Sequence, residues 1–585
     1  MEIQKANRPC VMGVTHTVAA GHYMSAQAGL QMLEAGGNAI DAGVAAGIAT
    51  GILEGIHVSI GGVAPILIWL AERNEAVTIS GLGCWPKKAS AEYFQKHHAG
   101  KIPVGVERTV VPAAPDAWIT ALEKYGSMSF AEVAGPAIRI ARDGFPVYPH
   151  MANFIRDNEE GIRRFPSTVE IYLPNGRPPE LGEKFVQSDL AATLQFLADE
   201  ERAASRGGRV AGLQAARHAF YRGDIARRIL AFNKAEGGLL EEEDLASFRV
   251  GVEPPVRGEF GDVSVLTCGP WCQGPMLLQE LALLDPASLA RYGHNSPDYI
   301  HEIVEAIKLA AADREAYYGD PRFVDVPMAA LLDAEYSRER RAMIDPRRAA
   351  DGLPQPGRVA GAAWPKPWNW PGEHGRQRAG GPLPVLEDET VLDTSYLCAV
   401  DRWGNAFSAT PSDGNATAPI IPGLGFVPSP RGSQSRPEPG HACSVAPGKR
   451  PRLTPNPALA VKDGEWIMPF GTPGGDVQTQ AMLQCLINVS AFGMDPQHAV
   501  EAPRFATFSF PSSFAPFEYR PNLVQLEGRI DRTTGDDLAQ RGHDVKWWGE
   551  RAWPAGSVCM IQHDLKSDVK LAAADFRRTA YAVGW

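Results

Sequence analysis

Sixteen residues, Asp393 to Ser408, constrain this 585-residue chain more than any other stretch. They read as a β-hairpin. Tyr396 to Val400 is apolar and β-prone, Asp401-Arg402-Trp403-Gly404-Asn405 supplies turn residues, and Ala406 to Thr410 resumes a strand. Gly404 can take the positive φ such a turn requires. Thr394 stands at the head of the first strand. With the turn centred near Trp403-Gly404, the numbers of facing residues sum to about 806 or 807, because register in an antiparallel pair is fixed by the turn. Thr394 then lies opposite Ser412 or Asp413, close to Thr410.

The segment before this hairpin, residues 350–389, is rich in Pro and Gly, carries Trp364, Trp368 and Trp370, and shows no periodicity. So long an irregular stretch is unusual inside a compact domain unless it is functional or disordered. A loose segment delivering a Thr to the head of a strand is what a self-cleaving N-terminal nucleophile needs. Cleavage of the Asp393–Thr394 bond would free an α-amine of pKa about 8, able to act as general base for the Thr hydroxyl. A second hydroxyl could orient that oxygen. The oxyanion formed on attack needs preorganised N–H donors, and Gly471-Thr472-Pro473-Gly474-Gly475-Asp476, a glycine loop leading into a helix, offers them. No Gly-Lys-Ser/Thr follows this loop, so it is not a phosphate-binding P-loop.

Composition narrows the alternatives. The net charge is −11 without a basic block, which argues against nucleic acid or an anionic membrane as partner. The eight cysteines are scattered. Cys268 and Cys272, the only close pair, have the wrong spacing for a redox or zinc motif. No cofactor and no metal are expected, and His16 and His22 read as core or surface residues. Free thiols and a first segment without an apolar core predict a cytoplasmic protein. The most apolar stretch, Ala39 to Leu70, is broken by Asp41, Glu54 and His57 and reads as a buried helix and strand rather than a membrane span.

The periodicity predicts a strand over Val11–Val18, a helix over Ser25–Ala35 stopped by Gly36-Gly37, and a buried helix over Ala39–Leu53 with Asn38 as N-cap. Ile66–Leu70 and Ala76–Ile79 read as a hairpin. Residues 110–350 read as mostly helical, with 200–216 a solvated face or loose loop. Strands are predicted over Pro457–Val461 and Glu465–Pro469, then a helix from Val477 to about Phe492.

Taken in order, a set of motifs resembles the γ-glutamyltransferase family of N-terminal-nucleophile hydrolases over nearly the whole chain. They are Ala26-Gln27-Ala28-Gly29-Leu30, Gly36-Gly37-Asn38-Ala39-Ile40-Asp41-Ala42, Ser59-Ile60-Gly61-Gly62, Ala219-Phe220-Tyr221-Arg222-Gly223, Glu243-Asp244-Leu245, Ala312-Asp313-Arg314, Tyr318-Gly319-Asp320-Pro321, Thr394-Ser395-Tyr396, Val400-Asp401, Gly404-Asn405-Ala406, Gly448-Lys449-Arg450-Pro451, Thr472-Pro473-Gly474-Gly475 and Ala502-Pro503-Arg504-Phe505. The resemblance implies an α+β, four-layer αββα sandwich: one large domain made of two autoprocessed subunits, 1–393 and 394–585. It implies Thr394 as nucleophile, Ser412 as second hydroxyl, Gly474 and Gly475 as oxyanion-hole glycines, and Asn405 as a structural turn residue. The partners expected are a small-molecule amide and the two subunits of one precursor, with homodimer or homotetramer left open.

The departures fall on substrate recognition. The family's Arg that holds a glutamyl carboxylate is matched by Leu82, in Ser80-Gly81-Leu82-Gly83-Cys84-Trp85-Pro86. Its Ser-Ser pair becomes Leu453-Thr454, its amine-binding acids have no match near Arg431, and an Asn after the second hydroxyl is Gly414. Losing a bidentate Arg–carboxylate contact removes a strong, oriented interaction. The expected activity is therefore cleavage of an amide whose acyl group is not γ-glutamyl. Alternatives are a γ-glutamyl transferase and a non-catalytic binding protein. Substrate contacts are expected from Leu82, Trp85, Tyr396, Thr410, Asp413, Arg431, Leu453 and Thr454, with Trp85 suggesting an apolar or flat group.

Overall fold

The protein is described here by a computed structural model covering residues 6–359, 362, 394–416 and 418–585. Most of the Pro/Gly-rich segment expected to be loose lies outside the described residues, with its three tryptophans. Two seven-stranded antiparallel sheets form the centre. The first runs Tyr581–Gly584, Thr17–Ala20, Leu397–Val400, Ala406–Ala409, Ile66–Leu70, Glu75–Ile79, Val252–Glu253. The second runs Val11–Gly13, Lys570–Ala574, Cys559–Asp564, Trp466–Gly471, Ala458–Lys462, Val263–Thr267, Val256–Phe260.

Alternation along the strands builds the layers. Leu397 and Ala399 face the helices outside the first sheet, whereas Tyr396, Cys398 and Val400 meet Leu459, Ile467, Cys559 and Ile561 between the sheets. Both faces are buried, so these strands are apolar throughout rather than alternating. Tyr23–Glu34, Ala39–Leu53 and Phe130–Asp143 cover the first sheet, and Gly274–Ala282, Pro297–Tyr317 and Gln478–Ser490 cover the second. The result is the expected αββα sandwich.

The Ala39–Leu53 helix is buried on every side. Asn38 and Asp41 close its first turn as a capping box, and Asp401 in the hairpin turn accepts the Ala39 N–H at 2.9 Å. Gly43 is required by close approach: a Cβ there would lie 2.1 Å from the ring of Phe407 on the hairpin. Asn405 accepts the Ala71 N–H at 3.0 Å, a structural role.

Two expectations are corrected. Val11–Val18 is two strands in different sheets, separated where Thr15 donates to the carbonyl of Trp585. Residues 200–216 belong to the helices Ser188–Ala204 and Arg209–Tyr221, a short 3₁₀ turn between them. Leu213, Ala216 and Phe220 are buried there, under an exposed face whose charge hides the helical period.

Candidate active site

The hairpin register is Leu397 opposite Ala409, continuing to a bridge between Thr394 and Ser412. Both side chains are buried, and Thr394 Oγ1 stands 2.9 Å from Ser412 Oγ. Ser412 is fixed from the other side by Val63, whose carbonyl accepts the Ser412 N–H at 3.0 Å. The Ser59–Gly62 turn comes close here, since a Cβ on Gly62 would meet the Ser412 carbonyl at 2.3 Å.

Arg431 enters from the Arg431–Gln434 3₁₀ turn and is completely buried. It donates through Nη2 to Ser412 Oγ and through Nε to Asp413, and Nη1 reaches Gln434 Oε1 at 3.2 Å. Ser429 donates to the other Asp413 oxygen. Burial raises the Asp413 carboxyl while the Arg431 charge opposes that shift. Asp413 sits at φ 86°, a left-handed conformation uncommon for any residue but glycine.

The glycine loop joins the same network. Gln434 Nε2 donates to Thr454 Oγ1 at 2.9 Å, and Gln273 Nε2 donates both to the Thr454 carbonyl at 3.0 Å and to the Gly475 carbonyl at 2.9 Å. Gly474 and Gly475 have φ 127° and 56°. Among the described residues neither of their N–H groups has a protein acceptor. Both are half-exposed and precede the Gln478–Ser490 helix. Phe514 lies against Gly475 and its ring is 5.7 Å from the Arg431 guanidinium.

The structure thus brings together Thr394, Ser412, Asp413, Arg431 and Thr454, with Gly475 tied in through Gln273. Thr410 lies on the same strand face as Ser412, its hydroxyl buried and without a partner among the described residues. Four expected substrate contacts are placed differently. Tyr396 points between the sheets, where its hydroxyl meets Ser408 Oγ at 2.7 Å and its ring covers Gly471, because alternation sends 396 inward when 395 and 397 face outward. Trp85 packs with Phe94, Ile102, Val110 and Val445; its indole donates to Ser435 at 2.9 Å and its ring covers Gly432. It supports the turn that carries Arg431. Leu82 and Leu453 pack together with Val63, Cys268, Trp271 and Cys272 in an enclosed apolar cluster and expose no more than 1 % of their surface. They form the wall behind Ser412.

Residue patterns missed Gln273, Gln434, Phe514 and Glu54. Glu54 accepts the Ser395 hydroxyl beside Thr394. Its signal was present, as an acid directly after the apolar run that ends the Ala39–Leu53 helix. Among the described residues one trio, His301, Glu305 and His543, has ligand atoms within 4.8 Å of one another. Each already has a partner: the two imidazoles meet at 2.8 Å, and Glu305 pairs with Lys308 at 2.9 Å. Among the described residues no helix is long and apolar enough to cross a membrane.

Comparison with known proteins agrees with this architecture. The Gamma-glutamyltranspeptidase family profile matches residues 25–585. The chain is 33 % identical over 541 residues to the acylase ACY 1 proenzyme of Pseudomonas sp. strain SE83, covering 90 % of this chain and 87 % of that one. It is 28 % identical over 582 residues to the glutathione hydrolase proenzyme of Bacillus subtilis strain 168, covering 98 % and 92 %. The crystal structure of a cephalosporin acylase from Bacillus halodurans superposes with a TM-score of 0.82 at 27 % identity, covering 100 % of this chain and 99 % of that one. By the match of its profile over nearly every residue, the chain belongs to the gamma-glutamyltranspeptidase family.

Proposed function

We propose that this protein is a self-processing N-terminal-threonine hydrolase that cleaves an amide through an acyl-enzyme whose acyl group is not a standard γ-glutamyl. The observation that carries this is Thr394 Oγ1 held 2.9 Å from Ser412 Oγ at the head of a central strand. Cleavage before Thr394 frees its α-amine, which takes the hydroxyl proton as Oγ1 attacks the substrate carbonyl. The Gly474 and Gly475 amides, without acceptors among the described residues, serve the oxyanion. Collapse expels the amine, protonated from the Thr394 α-amine, and water then releases the acyl group.

The acyl preference is supported by Leu82 and Leu453, which stand in an enclosed apolar cluster where the family has carboxylate contacts. A buried hydrocarbon wall cannot hold a carboxylate, since burying an unpaired charge is costly. The acylase and cephalosporin acylase relatives support an amide substrate outside the glutathione type. The second reading, γ-glutamyl hydrolysis or transfer, is supported by the glutathione hydrolase relative. Turnover of a γ-glutamyl anilide with a dipeptide acceptor would decide for it. A non-catalytic binding protein on this scaffold is a third reading. A chain that never processes yet binds a ligand would favour it.

A denaturing gel of purified protein should show fragments of about 42 and 21 kDa, being residues 1–393 and 394–585 of a 63.1 kDa chain. Thr394→Ala should leave one band and no turnover in a screen of amides with mass detection of the acyl product. A Thr394→Ala protein that still hydrolyses an amide would sink the proposal. Cytoplasmic residence is proposed as well, supported by eight free thiols and tested by cell fractionation.

A further inference from the structure

Resting on the assignment of Thr394 as nucleophile, we propose that Arg431 is a positioning residue for it. By donating to Ser412 Oγ, Arg431 turns the Ser412 hydroxyl hydrogen onto Thr394 Oγ1. Arginine carries donors only, and a serine oxygen has one hydrogen and two acceptor sites. Arg431 Nη2 takes one acceptor site of Ser412. Once Thr394 gives its proton to its α-amine, its oxygen can only accept, and the Ser412 hydroxyl 2.9 Å away is placed to donate. Along these contacts donation runs from guanidinium to Ser412, from Ser412 to Thr394 and from Thr394 to the amine. It stabilises the Thr394 oxygen as negative charge grows on it and leaves its free lone pair to the carbonyl carbon.

The fork is built for this and not for a ligand. Its Nε edge is taken by Asp413, Nη2 by Ser412 and Nη1 by Gln434, and Phe514 covers it. Asp413 in turn is held by Ser429. A substrate carboxylate would have to compete with a buried aspartate already in place. Lysine, a point charge, cannot span Asp413 and Ser412 as the planar fork does. Proton bookkeeping is closed: one proton moves from Thr394 Oγ1 to the α-amine and on to the departing amine while Oγ1–C forms and C–N breaks. Arg431 and Asp413 keep their charges throughout.

The test uses phenylmethanesulfonyl fluoride, an electrophile that needs no substrate recognition, on wild-type protein and on R431K, S412A and S412A/R431K. Intact mass of the fragment starting at Thr394 follows sulfonylation, so unprocessed chain does not enter the rate. R431K should label about tenfold or more slowly than wild type, the scale of a lost charge-assisted hydrogen bond. It should make no further difference in the S412A background, because residues acting through one contact are non-additive. Were R431K insoluble, R431Q/D413N, which removes the buried pair together, takes its place. Unchanged labelling in the Arg431 variant, or a loss that adds fully to that of S412A, overturns the proposal. Wild-type protein that labels elsewhere than Thr394 overturns the nucleophile assignment itself.

Discussion

At the scale of single residues, chemistry and recognition separate. Thr394 and Ser412 form a pair that antiparallel register alone places together, which is why it was legible in the sequence: residues 18 apart about a tight turn must face each other. Leu82 was legible only as a lost arginine. What it does instead, packing with Leu453 and Trp271 behind Val63, depends on four separate segments meeting. Leu82→Arg should therefore not restore γ-glutamyl turnover. It should destabilise the fold by several kcal/mol, because the charge enters an apolar cluster without a partner. Thermal unfolding together with a γ-glutamyl anilide assay checks both. The sequence makes Arg431 a candidate substrate contact because its partner, Asp413, lies in a loop whose conformation no local pattern predicts. Trp85 is illegible for a different reason: a tryptophan near a family motif gives no sign of which side of the backbone it covers, and here it covers Gly432.

At the scale of elements, the helix Ala39–Leu53 and the hairpin are one unit. Asp401 in the turn accepts the Ala39 N–H, and Gly43 lets the helix lie directly on Phe407. Gly43→Ala should stabilise an isolated helix, yet here its methyl meets the Phe407 ring. The expected outcome is a loss of about 1–3 kcal/mol from overpacking, read as a lower unfolding temperature with slower processing. The boundaries of this helix and of the hairpin could be read from the sequence because the Asn38 cap and apolar run of the one, and the turn residues and apolar strands of the other, agree there. Residues 200–216 could not, since a charged, Gly-containing surface resembles a loop until its buried face is counted.

At the scale of the whole molecule, burial of ionisable groups sets the dependence of stability on pH. Glu280, in the Gly274–Ala282 helix beneath the second sheet, accepts the Thr479 hydroxyl at 3.0 Å, and its other oxygen has no partner among the described residues. Burial pushes its carboxyl from 4.5 up to about 8. The folded protein keeps this proton where the unfolded chain releases it, so stability falls as pH rises from about 4.5 to about 8 and levels off above. Glu280→Gln should remove this component. The variant should unfold at a higher temperature than wild type at pH 8 or above, by a few kcal/mol in stability, and match it near pH 4.5. A wild-type and variant pair with parallel pH profiles would contradict the assignment.

Both sheets mix strands from either side of position 394. Leu397–Val400 and Ala406–Ala409 lie between Thr17–Ala20 and Ile66–Leu70, and Ala458–Lys462 pairs with Val263–Thr267. Cutting the chain before Thr394 therefore releases nothing, yet it changes the molecularity of folding. An uncut chain finds its partner strands within itself. Two separate chains must find each other by diffusion, and the loop-closure advantage of a single chain is gone. A molecule cut there is accordingly made once, its persistence set by how slowly it opens rather than by how readily it re-forms.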